Sequence, residues 1–147
     1  MKSIWNDADY RRLRGRLEHL TPLTPPQWGR FDAPGMVAHL TDCLRMATGE
    51  LPVPARKLPI RFTPLKQLII YVLPFPKGAP TAPELIARRP ADWHGELDDL
   101  RRELDGVVKR GPSGPLVSHP AFGELTATTW GVLVYKHMDH HLRQFGV

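Results

Sequence analysis

Apolar residues recur every three or four positions in four segments of the chain, which is the spacing of one face of an α-helix. The first segment begins at Asn6 or Asp7, both good N-cap residues, and ends near Leu20. The second begins after Asp32 and runs to about Ala47, shortly before a glycine that can end it. No segment shows the alternation that is typical of a strand, so the pattern predicts an all-α protein.

Two further helices are predicted in the second half of the chain. The third covers about 91–109 and is followed by a glycine stop at Gly111. The fourth is capped by Thr126 or Thr128 and ends by Gly146. Both carry their apolar residues on one face, as helices of a bundle do.

The links between these helices predict how they are arranged. Between Thr48 and Asp92 lie nine of the sixteen prolines, around one short apolar segment, so this stretch is a long crossover. The other two links are short enough to join antiparallel neighbours, whereas the crossover is long enough for helices 2 and 3 to run parallel. The sequence therefore predicts a four-helix bundle of up, down, down, up topology that occupies residues 1–147 as a single domain.

Composition and charge narrow the classes of function. Cys43 is the only cysteine, which excludes an intrachain disulfide and a cluster of thiolate ligands and suggests a reducing, cytoplasmic location. The apolar stretch that begins at Leu68 is too short to cross a bilayer, so no membrane association is expected. The net charge is +5, but arginine doublets alternate with acidic residues as on solvated helix faces, which makes nucleic acid an unlikely partner.

Three histidines in the last helix are the most distinctive chemical feature of the chain. At about 100° per residue, His137 and His141 fall inside the apolar arc of that helix, while His140 lies at the edge of the arc. The first two are one turn apart, which allows both imidazoles to reach one ion. His39 lies on or beside the buried face of helix 2, about five residues from the start of that helix.

The predicted topology brings these histidines to the same end of the bundle. Helices 2 and 4 run antiparallel, so His39, His137 and His141 reach similar depths. The pattern predicts a three-histidine metal site, and the competing interpretation is a set of hydrogen-bonded or polar-edge histidines. The remaining histidines fit no pattern and are assigned to the surface or to loops: His19, His94 and His119.

The segments that contain these histidines resemble the DinB/YfiT-like superfamily of bacterial metalloenzymes. The similarity rests on "MVAHLTD" in helix 2 and on the terminal "HMDHHLRQ". The resemblance implies that His39, His137 and His141 are the metal ligands and that His140 is not one. It also implies the up, down, down, up bundle. The arginine of "HHLRQ" is one place later than in the usual "HHRGQ", which leaves the role of Arg143 open.

The resemblance also sets the expected chemistry. It implies a metal-dependent thiol transferase or hydrolase, with a low-molecular-weight thiol as a further cofactor. The imidazole ligands themselves favour a divalent metal, with zinc or nickel ahead of iron or manganese. The small-molecule substrate and the catalytic residues stay unassigned. Two alternatives remain open: a non-catalytic metal-binding or stress-associated protein, and a basic interaction module whose histidines are structural. The apolar segment "LKQLIIYVL" also predicts a homodimer.

Overall fold

The computed structural model describes residues 1–147, and every regular element in it is helical. Its five α-helices are α1 (Asp7–Leu17), α2 (Ala33–Thr48), α3 (Leu65–Gln67), α4 (Trp93–Arg110) and α5 (Ala127–Gln144). The crossover also contains a π-helical turn, Leu68–Val72, and two 3₁₀ turns, Pro59–Arg61 and Pro83–Leu85. The prediction of an all-α protein is confirmed, because the structure contains no strand.

Side-chain caps explain where three of the long helices begin. The side chains of Asn6, Asp32 and Thr126 each accept a hydrogen bond from a backbone N–H in the first turn of α1, α2 and α5. Each such cap stabilises its helix by about 1 kcal/mol. At the other end of α2, Gly49 adopts a left-handed φ of 84°, which only glycine reaches without strain. These starts agree with the sequence pattern.

The predicted end of α1 is wrong by three residues. The regular helix stops at Leu17, and the chain then tightens into turns in which Glu18, His19 and Leu20 each bond to the carbonyl three residues earlier. Leu20 is nevertheless 5% exposed and belongs to the core. The apolar spacing therefore identified the buried residue correctly but not the hydrogen-bond pattern around it.

The core forms where the apolar faces of the long helices meet. The most extensive contact joins α2 to α4, while α1 packs on α5 and α5 also touches α2. From α4 the buried apolar side chains are Leu97, Leu100, Leu104 and Val107. The contact between α2 and α5 matters most for function, because it brings the histidine-bearing helices together.

The Pro-rich crossover is fastened to the helices by polar contacts. The Lys136 ammonium on α5 donates to the backbone carbonyls of Ile69, Ile70 and Leu73, at the end of the π-helical turn. The side chain of Tyr71 hydrogen-bonds to that of Thr129 over 2.7 Å. The crossover thus covers part of α5, although its sequence has no long periodic segment.

One apolar face of the crossover is left uncovered within the monomer. Its exposed side chains include Phe62, Leu65, Leu68 and Val72. This face lies in the segment that suggested a homodimer, and pairing of two copies stays a prediction. No helix is both long enough and apolar enough to serve as a membrane span.

Truncation of a core side chain tests the packing of α4. Leu104 is fully buried, so we expect Leu104→Ala to lower the free energy of unfolding by about 2–5 kcal/mol, through lost apolar contacts and the cavity left behind. Leu23 is 89% exposed, and Leu23→Ala should change the value by no more than about 0.5 kcal/mol. Denaturant unfolding of both variants measures the difference. Equal stabilities for the two variants would contradict this packing.

Candidate metal centre

The structure brings the three predicted histidines together between α2 and α5. His39 lies in the second turn of α2, and His137 and His141 lie one turn apart near the end of α5. The Nε2 atom of His137 is 3.2 Å from Nε2 of His39 and 3.1 Å from Nε2 of His141. The inward-facing nitrogens of all three rings therefore meet at His137.

The outer nitrogen of His39 fixes the tautomer of that ring. Its Nδ1 atom lies 2.9 Å from the backbone carbonyl oxygen of Leu85. A carbonyl only accepts hydrogen bonds, so Nδ1 carries the proton and Nε2 of the neutral ring presents a lone pair. Phe31 stacks on the ring at a centroid distance of 5.1 Å and limits its rotation.

The outer nitrogen of His141 is fixed by a relay through Gln144. Gln144 donates through Nε2 to the backbone carbonyl of Trp28 over 2.7 Å, which orients the amide group. Its Oε1 atom must then face Nδ1 of His141, 2.8 Å away, and accept a proton from it. The Nε2 atom of His141 consequently presents a second lone pair toward the centre of the cluster.

His137 cannot satisfy both of these lone pairs with hydrogen bonds. If its own proton is on Nε2, it can form one linear hydrogen bond and leaves the other neighbour without a proton. If the proton is on Nδ1, three lone pairs converge. A purely hydrogen-bonded cluster of neutral rings therefore leaves at least one buried acceptor without a full partner, which is costly.

The separations from His137 to the other two rings resemble those between ligands of one divalent cation. Nitrogen ligands about 2.0–2.1 Å from a tetrahedral zinc ion lie about 3.3 Å from one another. The observed separations of 3.1 and 3.2 Å are close to this value. The residues present therefore fit a metal ion, although the ligand role of these histidines stays a prediction.

Burial keeps the three imidazoles neutral, the form in which they can bind a metal. It lowers the pKa of His39, and it lowers the pKa of His141 to about 3, with the neighbouring His39 adding to the shift. The pKa of His137 falls well below its ordinary value, first through burial and then through His141 and His39.

Cys43 adds a sulfur atom to the same group. The ligand atoms of His39, Cys43 and His137 all lie within 4.8 Å of one another, so this trio could hold a metal ion. The Cys43 Sγ atom is 3.8 Å from both ring nitrogens of His39, which places it off the line of the Nε2 lone pair. Burial raises the pKa of the thiol, with Asp42 contributing, so the metal-free residue is a thiol and not a thiolate.

The other histidines do not join the three nitrogens. His140 is half-buried, with its ring centroid 5.2 Å from that of His141 and 6.0 Å from that of Trp28. His19 and His94 are exposed, as the sequence predicted. His140 thus lines the outside of the cluster.

His119 lies in a loop, as predicted, but it is not a simple surface residue. Its Nδ1 accepts hydrogen bonds from the backbone N–H groups of Ala121 and Phe122. Burial lowers its pKa to about 4, and Arg61 adds to the shift. No sequence period predicts this partly buried position, because loop packing leaves no repeat in the sequence.

Aromatic side chains and cations surround the cluster, and the sequence reasoning did not identify them as part of the site. Phe75 lies 6.3 Å from the ring of His137, between centroids. The Lys77 ammonium sits 4.4 Å from the centre of the Trp28 ring, and Lys136 sits 4.7 Å from that of Phe75. The sequence feature that could have indicated them is the "LPFPKG" segment. It contains Phe75 and Lys77 and comes directly after the apolar part of the crossover.

Two surface cavities have linings that include none of the histidines. The larger, about 630 Å³, is lined by the end of α2, the segment 51–54 and the loop around Val117. The smaller, about 310 Å³, lies between the π-helical turn and α5. Of the three rings, that of His137 is partly exposed, whereas His39 and His141 are buried.

Comparison with known proteins adds one family match. A family model described as "Protein of unknown function (DUF1569)" matches residues 74–146, which include His137 and His141 but not His39. No curated protein matches the chain. No solved structure matches it either. The match therefore places two of the three histidines in a family segment without assigning an activity to them.

The lowered pKa of His141 predicts how acid destabilises the metal-free protein. The unfolded residue takes up its proton near pH 6.5, the folded one only near pH 3, so acidification between these values favours unfolding. In the presence of a metal chelator, the free energy of unfolding should decrease as the pH is lowered. His141 should contribute about 1.4 kcal/mol per pH unit in the middle of this range.

Denaturant unfolding at a series of pH values measures this contribution. His141→Gln should give a shallower dependence on pH than the wild type. His19→Gln is the matched control, because it makes the same substitution at an exposed histidine outside the cluster. The same slope in His141→Gln as in the wild type would contradict the assignment.

Proposed function

We propose that the chain binds one divalent transition metal through Nε2 of His39, His137 and His141. The observation that carries this proposal is the state of the outer nitrogens. Leu85 and Gln144 hold protons on Nδ1 of His39 and His141, so two lone pairs are directed to the Nε2 atom of His137. Imidazole suits zinc, nickel, iron and manganese in different degrees, and we favour zinc or nickel.

The proposed fold is the DinB/YfiT-like four-helix bundle of up, down, down, up topology, formed by α1, α2, α4 and α5 as one domain. The contacts of α2 with α4 and α5, and of α1 with α5, support this arrangement. The crossover that contains α3 has the length required for α2 and α4 to run parallel.

The proposed activity is that of a metal-dependent thiol transferase or hydrolase. A divalent ion held by three neutral imidazoles would supply a Lewis acid and lower the pKa of a bound water or thiol. Phe31 and Phe75 pack beside His39 and His137, and Trp28 packs beside His140. Lys77 and Lys136 provide positive charge beside these aromatics, which would favour an anionic group on a small-molecule substrate or thiol.

Histidine variants test the metal site directly. His137→Ala and His141→Ala should abolish stoichiometric metal, and His39→Ala should weaken binding severely, because each removes one inward nitrogen. His140→Ala is the matched control, since its ring lies outside the cluster, and it should retain the metal of the wild type. Elemental analysis of protein purified without an affinity tag measures the content. Full metal content in all four variants would refute the site.

Cobalt substitution separates the three-histidine set from one that includes Cys43. The thiol sulfur is equally distant from both nitrogens of His39, so we expect the cobalt(II) protein to lack a sulfur-to-cobalt charge-transfer band. Cys43→Ala should then bind cobalt with an unchanged absorption spectrum. An intense near-ultraviolet band that disappears in Cys43→Ala would instead make Cys43 a ligand.

A further inference from the structure

Arg88 forms a clamp between the crossover and two helices. Its Nε donates to both carboxylate oxygens of Asp42 on α2, each over 2.9 Å. Its Nη1 and Nη2 atoms donate to the two oxygens of Glu96 on α4, each over 2.6 Å. Nη2 also reaches the backbone carbonyl of Ala38 on α2 over 3.3 Å. The guanidinium therefore fixes residue 88 against both helices.

The partners of Arg88 are buried although the arginine itself is not. The side chains of Asp42 and Glu96 are 5% and 7% exposed, and that of Arg88 is 36% exposed. Charges placed this deep carry a desolvation cost, and a buried ion pair is often no more stabilising than apolar residues of similar volume. A gain in stability is therefore a weak explanation for these ion pairs. The place where they hold the crossover is a more specific explanation.

The clamp lies three residues beyond the carbonyl that fixes His39. Leu85 ends the 3₁₀ turn of the crossover, its side chain is 8% exposed, and its carbonyl oxygen accepts the Nδ1 proton of His39. Arg88 meanwhile contacts Ala38 and Asp42, which flank His39 on α2. Both ends of this short loop are thus held against the same part of α2.

We propose that Arg88 is a positioning residue for the metal site. It acts through the backbone by holding the Leu85 carbonyl against Nδ1 of His39. This contact keeps the proton on Nδ1 and leaves Nε2 free for the metal. This inference rests on the proposed metal function. The statement that Arg88 keeps the proton on Nδ1 of His39 concerns only residues of this chain and can be tested without metal.

Arg45 provides a matched control for the loss of a buried arginine clamp. It lies on α2, donates over 3.0 Å to both Glu103 and Asp99 on α4, and its side chain is 24% exposed. Arg45 touches the clamp only at its margin, 4.0 Å from Asp42, and it makes no contact with a carboxylate of the crossover. Arg45→Gln should therefore cost stability without disturbing the contact between Leu85 and His39.

Two measurements on Arg88→Gln test the proposal. Zinc affinity, measured by competition with a chelator, should fall about 10–100-fold, which is the usual loss when the outer partner of a metal-binding histidine is removed. In the metal-free variant, ¹⁵N NMR of the imidazoles should show that His39 has lost its fixed Nδ1–H tautomer. Arg45→Gln should keep the zinc affinity and the tautomer of the wild type.

Arg88→Lys is a second variant in case Arg88→Gln does not fold. Lysine keeps the charge but lacks the planar fork, so it should show the same two changes to a smaller degree. Unchanged zinc affinity and tautomer in a folded Arg88 variant would overturn the proposal, as would equal losses in Arg45→Gln. If the wild type binds no zinc, the proposed function fails, and a change in the His39 tautomer confined to the Arg88 variants would still support the clamp.

Discussion

The candidate site depends on the hydrogen bonds made by the outer nitrogens of two histidines. A neutral imidazole carries one proton, so a carbonyl that holds it on Nδ1 forces a lone pair onto Nε2. The Leu85 carbonyl does this for His39, and the Gln144 amide, oriented by Trp28, does it for His141. Without these contacts the same three rings could form an ordinary hydrogen-bonded cluster. With them, the interior contains acceptors that a cation would satisfy.

The fold serves this arrangement by bringing four parts of the chain to one place. Helices α2 and α5 supply the rings, whereas the Leu85 carbonyl comes from the crossover and the Trp28 carbonyl from the link between α1 and α2. Neither the crossover nor the link between α1 and α2 contains a long helix that could hold its carbonyl in place. The crossover needs anchors: Arg88 binds it to α2 and α4, and Lys136 binds it to α5. Loading of the site and docking of the crossover should therefore be coupled.

Local periodicity was enough to predict the helices and which histidines face inward. The spacing of His137 and His141 is a property of one helix, and His39 follows from the face of another, so short-range geometry places each ring. The contact between Leu85 and His39 spans 46 residues of sequence and comes from a Pro-rich segment without repeats. The Arg88 clamp and the partial burial of His119 also come from the packing of loops. Contacts of this kind depend on where loops pack, which no helical period encodes.

We propose that three imidazoles, and no sulfur, hold one divalent ion. X-ray absorption spectroscopy of the zinc-loaded protein tests it most directly, because imidazole nitrogens and thiolate sulfur scatter at different distances from the metal. We expect three imidazole nitrogens at about 2.0–2.1 Å from the zinc ion, with oxygen or nitrogen atoms completing the coordination and no sulfur at about 2.3 Å. A sulfur contribution, or fewer than three imidazoles, would contradict it.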